Sequence, residues 1–193
     1  MPDVAVLSNR LTEALGIRHP IVSAPMAFAA GGALAAAVTR GGGLGLIGGG
    51  YGNAQWLDEQ FIAASDERVG IGFITWSLAR RPELLKDALR RKPVAVMLSF
   101  GDPREFVAEI RASGAVLICQ CQNLRHVRDA IEAKADIVVA QGSEAGGHGA
   151  TTRGTFTLVP EVADVLVRES PDTMLLAAGG VADGRGLAAA LAL

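Results

Sequence analysis

No run of about 18 uninterrupted apolar residues occurs in the chain, and Met1 is not followed by a charged segment and an apolar core. A membrane-spanning helix and a secretory leader are therefore not expected, and the default location is cytoplasmic. A basic stripe is missing too. Eighteen Lys and Arg stand against 20 Asp and Glu, for a net charge of −2, and Arg80-Arg81 and Arg90-Arg91 are the tight basic pairs. Nothing there tracks a phosphate backbone, so nucleic acid is disfavoured as a partner. Cysteine is scarce. Cys119 and Cys121 stand two apart in an apolar run, a spacing that is neither a redox CxxC pair nor half of a zinc site, so both read as small hydrophobes and no metal is expected. Also absent is the GxGxxG fingerprint after the first strand, where the chain has Ala24-Pro25-Met26 and later Gly31-Gly32.

What the sequence does hold is an alternation. Half of its 193 residues are hydrophobic, enough for one sizeable core. Apolar runs without polar alternation, at 21–26, 44–47, 69–75, 94–100, 116–121, 137–140 and 174–178, read as seven strands. Between them lie helical patterns with recognisable ends. One is the Ala-rich 33–39 closed by Gly41-Gly42-Gly43. Others are capped by Asn53 and Asn123, opened by Pro82 or by Asp102-Pro103, or run over 159–168, and Asp183 starts the last. Strands buried on both faces and each followed by a helix imply an α/β fold with a parallel sheet. A doubly wound sheet and a (β/α)8 barrel of the TIM type both satisfy that pattern. Glycines follow strands two, four, six and seven, which favours the barrel, whose sites collect after the C-terminal ends of its strands.

The stretch with most chemistry is Gln141–Ala150, QGSEAGGHGA, directly after strand six. Its glycines bring backbone close to whatever sits there, and His148 is the one group among them that titrates near neutrality. A surface loop with an incidental histidine is the plain alternative. Glu144 has no catalytic role in this reading; it could orient a neighbour or accept nearby N–H groups. His19 and His126 read as solvated. Trp76 follows strand three and could border a pocket mouth with Trp56, although packing is the simpler reading for both.

Four segments in register carry a resemblance: PIVSAPM at 20–26, GGGLGLIGGG at 41–50, the QGSEAGGHGA loop with TLVPE at 157–161, and AAGGVADGRG at 177–186. Over residues 20–193 the chain resembles the nitronate monooxygenase family, formerly called 2-nitropropane dioxygenases. The resemblance implies a flavin mononucleotide (FMN) oxidoreductase on a (β/α)8 barrel that oxidises alkyl nitronates with O2 to a carbonyl compound and nitrite. Related flavoproteins reduce quinones with NAD(P)H or reduce enoyl-acyl-carrier-protein substrates, and a non-catalytic relative is a further alternative. Carried over by position, His148 is the catalytic base. Ala24, Pro25 and Met26 pack on the flavin, Gln141 and Gln120 meet its ring, with Gln122 an equal candidate for the second place. Gly146 and Gly147 let the loop approach, and Gly179 and Gly180 present N–H groups to the phosphate.

Two departures accompany the resemblance. Gly72 stands where relatives often have an asparagine, leaving Thr75 to take over a flavin contact. Only seven βα units are found, so residues 1–193 read as a single FMN-binding barrel domain lacking strand eight and the segment after it. The open edges would favour homo-oligomers, and the missing strand-eight loop, with its phosphate donors, would weaken flavin binding.

Overall fold

A computed structural model of the chain describes residues 7–149 and 152–193. The Met1 end and Ala150, both read in the sequence, lie outside the described residues. The fold is α/β, of the TIM-barrel type: parallel strands alternate with helices, and six strands form one sheet in the order β1-β2-β3-β4-β5-β6. The strands are β1 (Leu46–Gly48), β2 (Gly70–Ile74), β3 (Ala95–Ser99), β4 (Val116–Cys121), β5 (Ile137–Gln141) and β6 (Met174–Ala178). The chain separates into two compact units, Met1–Met97 with Ala108–Val116, and Leu98–Val107 with Leu117–Leu193.

In the first unit, β1 and β2 pair in parallel, Leu46 opposite Gly70 and Gly48 opposite Gly72, and every residue of both strands is buried. The expected first strand at 21–26 is reduced to one bridge, Val22 with Leu44. The Ser23 hydroxyl accepts the Leu46 N–H at 2.9 Å, Pro25 has no N–H to give, and the Met26 N–H turns back to the Ala24 carbonyl at 3.0 Å. The ladder stops because its donors are diverted or missing. Helices α2 (Gly32–Gly41) and α3 (Ala54–Ala64) follow the forecast, with Asn53 accepting the Trp56 N–H at 3.0 Å. Helix α1 (Arg10–Leu15) was not foreseen. Its capping box uses Asn9 and Thr12, where the usual sequence signal has Glu or Gln at the second position. A single turn, α4 (Thr75–Leu78), and α5 (Glu83–Arg90), preceded by Pro82, complete the run to β3. Pro103 introduces a 3₁₀ turn (Arg104–Phe106) before α6 (Val107–Ser113).

In the second unit, β5 is flanked by β4 and β6, both parallel to it, with Ile137 opposite Ile118 on one side and Met174 on the other. Residues Ile137 to Ala140 are buried. Helix α7 (Leu124–Glu132) starts on Asn123, whose side chain accepts the His126 N–H. Helix α8 spans Thr155–Glu169, beginning four residues before the expected 159. Pro160 lies inside it; its ring withholds one N–H from the Phe156 carbonyl, and Phe156 is exposed. Burial falls off towards α9 (Gly184–Ala192), which has no buried residue, and β6 is half-buried along its length. Among the described residues no helix is long and apolar enough to cross a membrane.

Both cysteines are buried on β4. Burial pushes the Cys119 thiol up to about 12, and raises that of Cys121 as well. Neither is a thiolate at neutral pH. Native protein at pH 8 should therefore react negligibly with a disulfide reagent such as DTNB, and should release both thiols once unfolded in denaturant; rapid native labelling would contradict this packing.

Candidate active site

In the second unit, the ends of β4 and β5 and the loop after β5 bring four expected residues together. Gln120 Nε2 donates to Gln141 Oε1. Gln141 Nε2 in turn donates to the backbone carbonyl of His148 at 3.2 Å, and Gln122 Nε2 reaches the same oxygen at 3.4 Å. The choice between Gln120 and Gln122 is thus divided. Gln120 acts through Gln141, whereas Gln122, only 2% exposed, touches the loop directly. The His148 side chain is exposed, with its imidazole 5.5 Å from the ring of Phe100, centroid to centroid.

The loop is fastened at its base. Glu144 accepts the Thr155 N–H with both oxygens, at 3.1 and 2.8 Å, and the Thr155 hydroxyl at 3.0 Å. A carboxylate eleven positions upstream thereby takes the first N–H of α8, a place where the helix dipole favours negative charge. That backbone hydrogen bond, above all, holds the Glu144 carboxyl below its usual 4.5. Gly142 is buried beside the same point: a Cβ there would lie 2.2 Å from the Thr155 nitrogen. Thr155 Oγ1 is also 2.9 Å from the Gly179 carbonyl.

The remaining loop glycines differ from Gly142. A Cβ on Gly146 or Gly147 would meet nothing within 4 Å, and Gly147 has φ +75°. This stretch of backbone is open. Gly179 and Gly180, at φ +107° and +75°, follow β6, and among the described residues no carbonyl takes either N–H. Among the described residues no cluster of three His, Cys, Asp or Glu side chains could hold a metal.

Ala24, Pro25 and Met26 lie in the first unit. Met26 is 50% exposed, so core packing does not explain it. Pro25 accounts for the glycine at 72: a Cβ there would fall 2.2 Å from the proline Cγ, so the ring fills the room a larger residue would need. Thr75 is buried with its hydroxyl unpartnered among the described residues. His126 corrects its expected solvation. It is half-buried, with Nδ1 3.4 Å from the Gln122 N–H, and shares a small cleft with Gln120 and Phe100. His19 is half-buried as well. The sequence reading overlooked Phe100 and Thr155, whose roles depend on neighbours distant in the chain.

The nitronate monooxygenase family model matches residues 8–67 and 76–193. The chain belongs to that family. Its relatives include the nitronate monooxygenase of Neurospora crassa, 34% identical over 90% of this chain and 56% of the relative. Another is the (3aS,4S,5R,7aS)-5-hydroxy-7a-methyl-1-oxo-octahydro-1H-indene-4-carboxyl-CoA dehydrogenase of Rhodococcus jostii, 31% identical over 98% of this chain and 52% of the relative. Among solved structures, FabK from Thermotoga maritima superposes with a TM-score of 0.85 at 34% identity, covering 96% of this chain and 58% of that one. The chain spans about half the length of the curated relatives it matches. Family membership makes it kin to flavin oxidoreductases acting on small molecules. The family match leaves out residues 68–75, which contain β2 and the glycine at 72.

The Glu144 contact has a pH signature. Its folded pKa lies below 4.5, so its contribution is complete above 4.5 and is lost as pH falls through the lower folded value. Glu144→Gln should lower the urea midpoint at pH 7, and the gap to the native protein should close as the pH drops below 4.5. A gap that stays constant with pH would show that the charge is not what fastens α8.

Proposed function

We propose that this protein is an FMN-dependent oxidoreductase that oxidises alkyl nitronates with O2 to a carbonyl compound and nitrite, with His148 as the base for neutral nitroalkanes. The carrying observation is an exposed imidazole on an open glycine loop whose backbone is held at the His148 carbonyl by two amides. An imidazole titrates near working pH, so it can accept an α-proton and, once charged, hydrogen-bond an anionic nitro group. Holding the carbonyl of the same residue limits where the ring can go.

The residues present suit FMN. Gly179 and Gly180 offer N–H groups that no carbonyl among the described residues takes, at a turn after a strand end, where many barrels bind phosphate. Gln141 and Gln120 carry amides able to donate and accept towards ring heteroatoms. The open backbone at Gly146 and Gly147 admits a planar group, and Ala24, Pro25 and the exposed Met26 are assigned to pack on it. When bound, FMN would supply the redox chemistry. Residues 1–193 together are assigned as one FMN-binding domain of a cytoplasmic enzyme whose partners are small molecules, in a chain that could pair with a second copy. The similarity to FabK supports a second reading, an NAD(P)H-dependent quinone or enoyl reductase. Anaerobic bleaching of the flavin by NAD(P)H favours this second reading, and nitrite release from a nitronate under air favours the first. A colourless protein that takes up no added FMN would leave only a non-catalytic relative.

His148→Asn preserves approximate size and hydrogen bonding but removes the base. Turnover of neutral nitroalkane should fall about 10²- to 10⁴-fold, and that of the pre-formed nitronate far less. Equal losses on both substrates with FMN still bound would refute the assignment.

A further inference from the structure

Aromatic side chains are few, six Phe, two Trp and one Tyr, yet both tryptophans and the tyrosine share one cluster in the first unit. Phe28 meets Trp56 edge-on, with centroids 5.4 Å apart at 70°, and Tyr51 at 6.2 Å; Tyr51 meets Trp76 at 6.2 Å. Phe28, Tyr51 and Trp76 are 59%, 47% and 43% exposed. Trp56 is anchored inward, its indole N–H donating to the Gly48 carbonyl at 3.0 Å. Packing, the simpler reading of the sequence, therefore describes Trp56 but not Trp76.

The cluster's placement is ordered. Phe28 follows the 21–26 segment, Tyr51 follows β1, and Trp76 opens α4 directly after β2. All three thus come from C-terminal strand ends, the side on which barrel enzymes bind their ligands. Phe28 adopts φ +60°, which a bulky residue rarely does without compensation. The turn presenting Tyr51 is braced by Arg81, whose Nη1 donates to the Gly52 carbonyl at 2.6 Å. Over Trp76, at 5.2 Å from the ring centroid, stands the guanidinium of Arg80. Glu83 is committed to Arg81 rather than to Arg80.

Exposed rings set at 35° and 46° to one another offer both faces and edges to a flat guest, and a cation at the rim suits a guest with negative charge. We propose that Phe28, Tyr51, Trp76 and Arg80 form a binding site for a planar aromatic group carrying an anionic substituent, separate from the proposed FMN site. Such a group could come from a nucleotide or from an aryl carboxylate; the chemistry they share is a π-face next to a negative charge.

The two tryptophans are the only indoles in the chain, so their two N–H cross-peaks in a ¹⁵N–¹H spectrum report on this surface directly. The full chain is titrated with AMP and with benzoate, and in parallel with ribose 5-phosphate and cyclohexanecarboxylate, which keep the charge without the ring. Each titration is run before and after adding excess FMN. Saturable shifts with AMP or benzoate, absent with the ringless anions and persisting with FMN, are expected; AMP against benzoate identifies the source. Trp76→Ala should weaken binding about tenfold or more, with the Trp56 peak retained as a check of folding. Arg80→Ala should abolish the preference for AMP over adenosine. No shift by either ringed anion up to about 10 mM, or equal shifts by the ringless ones, would overturn the proposal. Loss of the shifts on adding FMN would overturn it too, by making this surface part of the flavin site. Failure of FMN to bind would count against the proposed function alone.

Discussion

The contact between Glu144 and the start of α8 is the constraint on which the candidate site depends. The carboxylate takes the Thr155 N–H and hydroxyl, which fixes one end of the loop after β5 against a helix that also packs on β5, β6 and α7. Gly142 permits the approach, since any side chain there would strike the Thr155 backbone. With the base of the loop held, its tip can remain open without becoming detached: Gly146 and Gly147 face free space while the His148 carbonyl is held from β4 and β5. The charge that makes this fastening also makes it sensitive to acid.

The amides form a relay from the strands to the loop. Gln120 acts on Gln141, and Gln141 and Gln122 act on one carbonyl oxygen. Two donors on one acceptor use both of its lone pairs, which restricts the peptide more than either alone would.

Family membership and activity are separate matters here. The nitronate monooxygenase relative and the structural neighbour FabK are each 34% identical to this chain, so similar sequences accompany differently named proteins. Within the first unit, Pro25 fills the room above Gly72, and Phe28, Tyr51, Trp56 and Trp76 gather in one aromatic cluster.

The sequence by itself determined the alternation of buried strands and helices and most helix ends, and it singled out the glycine-histidine loop for its composition. Those features are local: runs of apolar residues, Asn caps at 53 and 123, and glycines next to strand ends act over a few positions. It also identified Glu144 as a possible acceptor, but not its donor, because Thr155 is eleven residues away and only the folded loop closes that gap. The segment at 21–26 has the composition of a strand, and the tertiary structure reduced it to a bridge by giving the Leu46 N–H to the Ser23 hydroxyl. Likewise the helix expected over 159–168 begins at Thr155, whose N–H is taken by Glu144 from eleven residues upstream. The aromatic cluster was the least legible: Phe28, Tyr51, Trp56 and Trp76 are scattered along the sequence, and parallel strands bring their C-terminal ends to one edge whatever the distance between them along the chain.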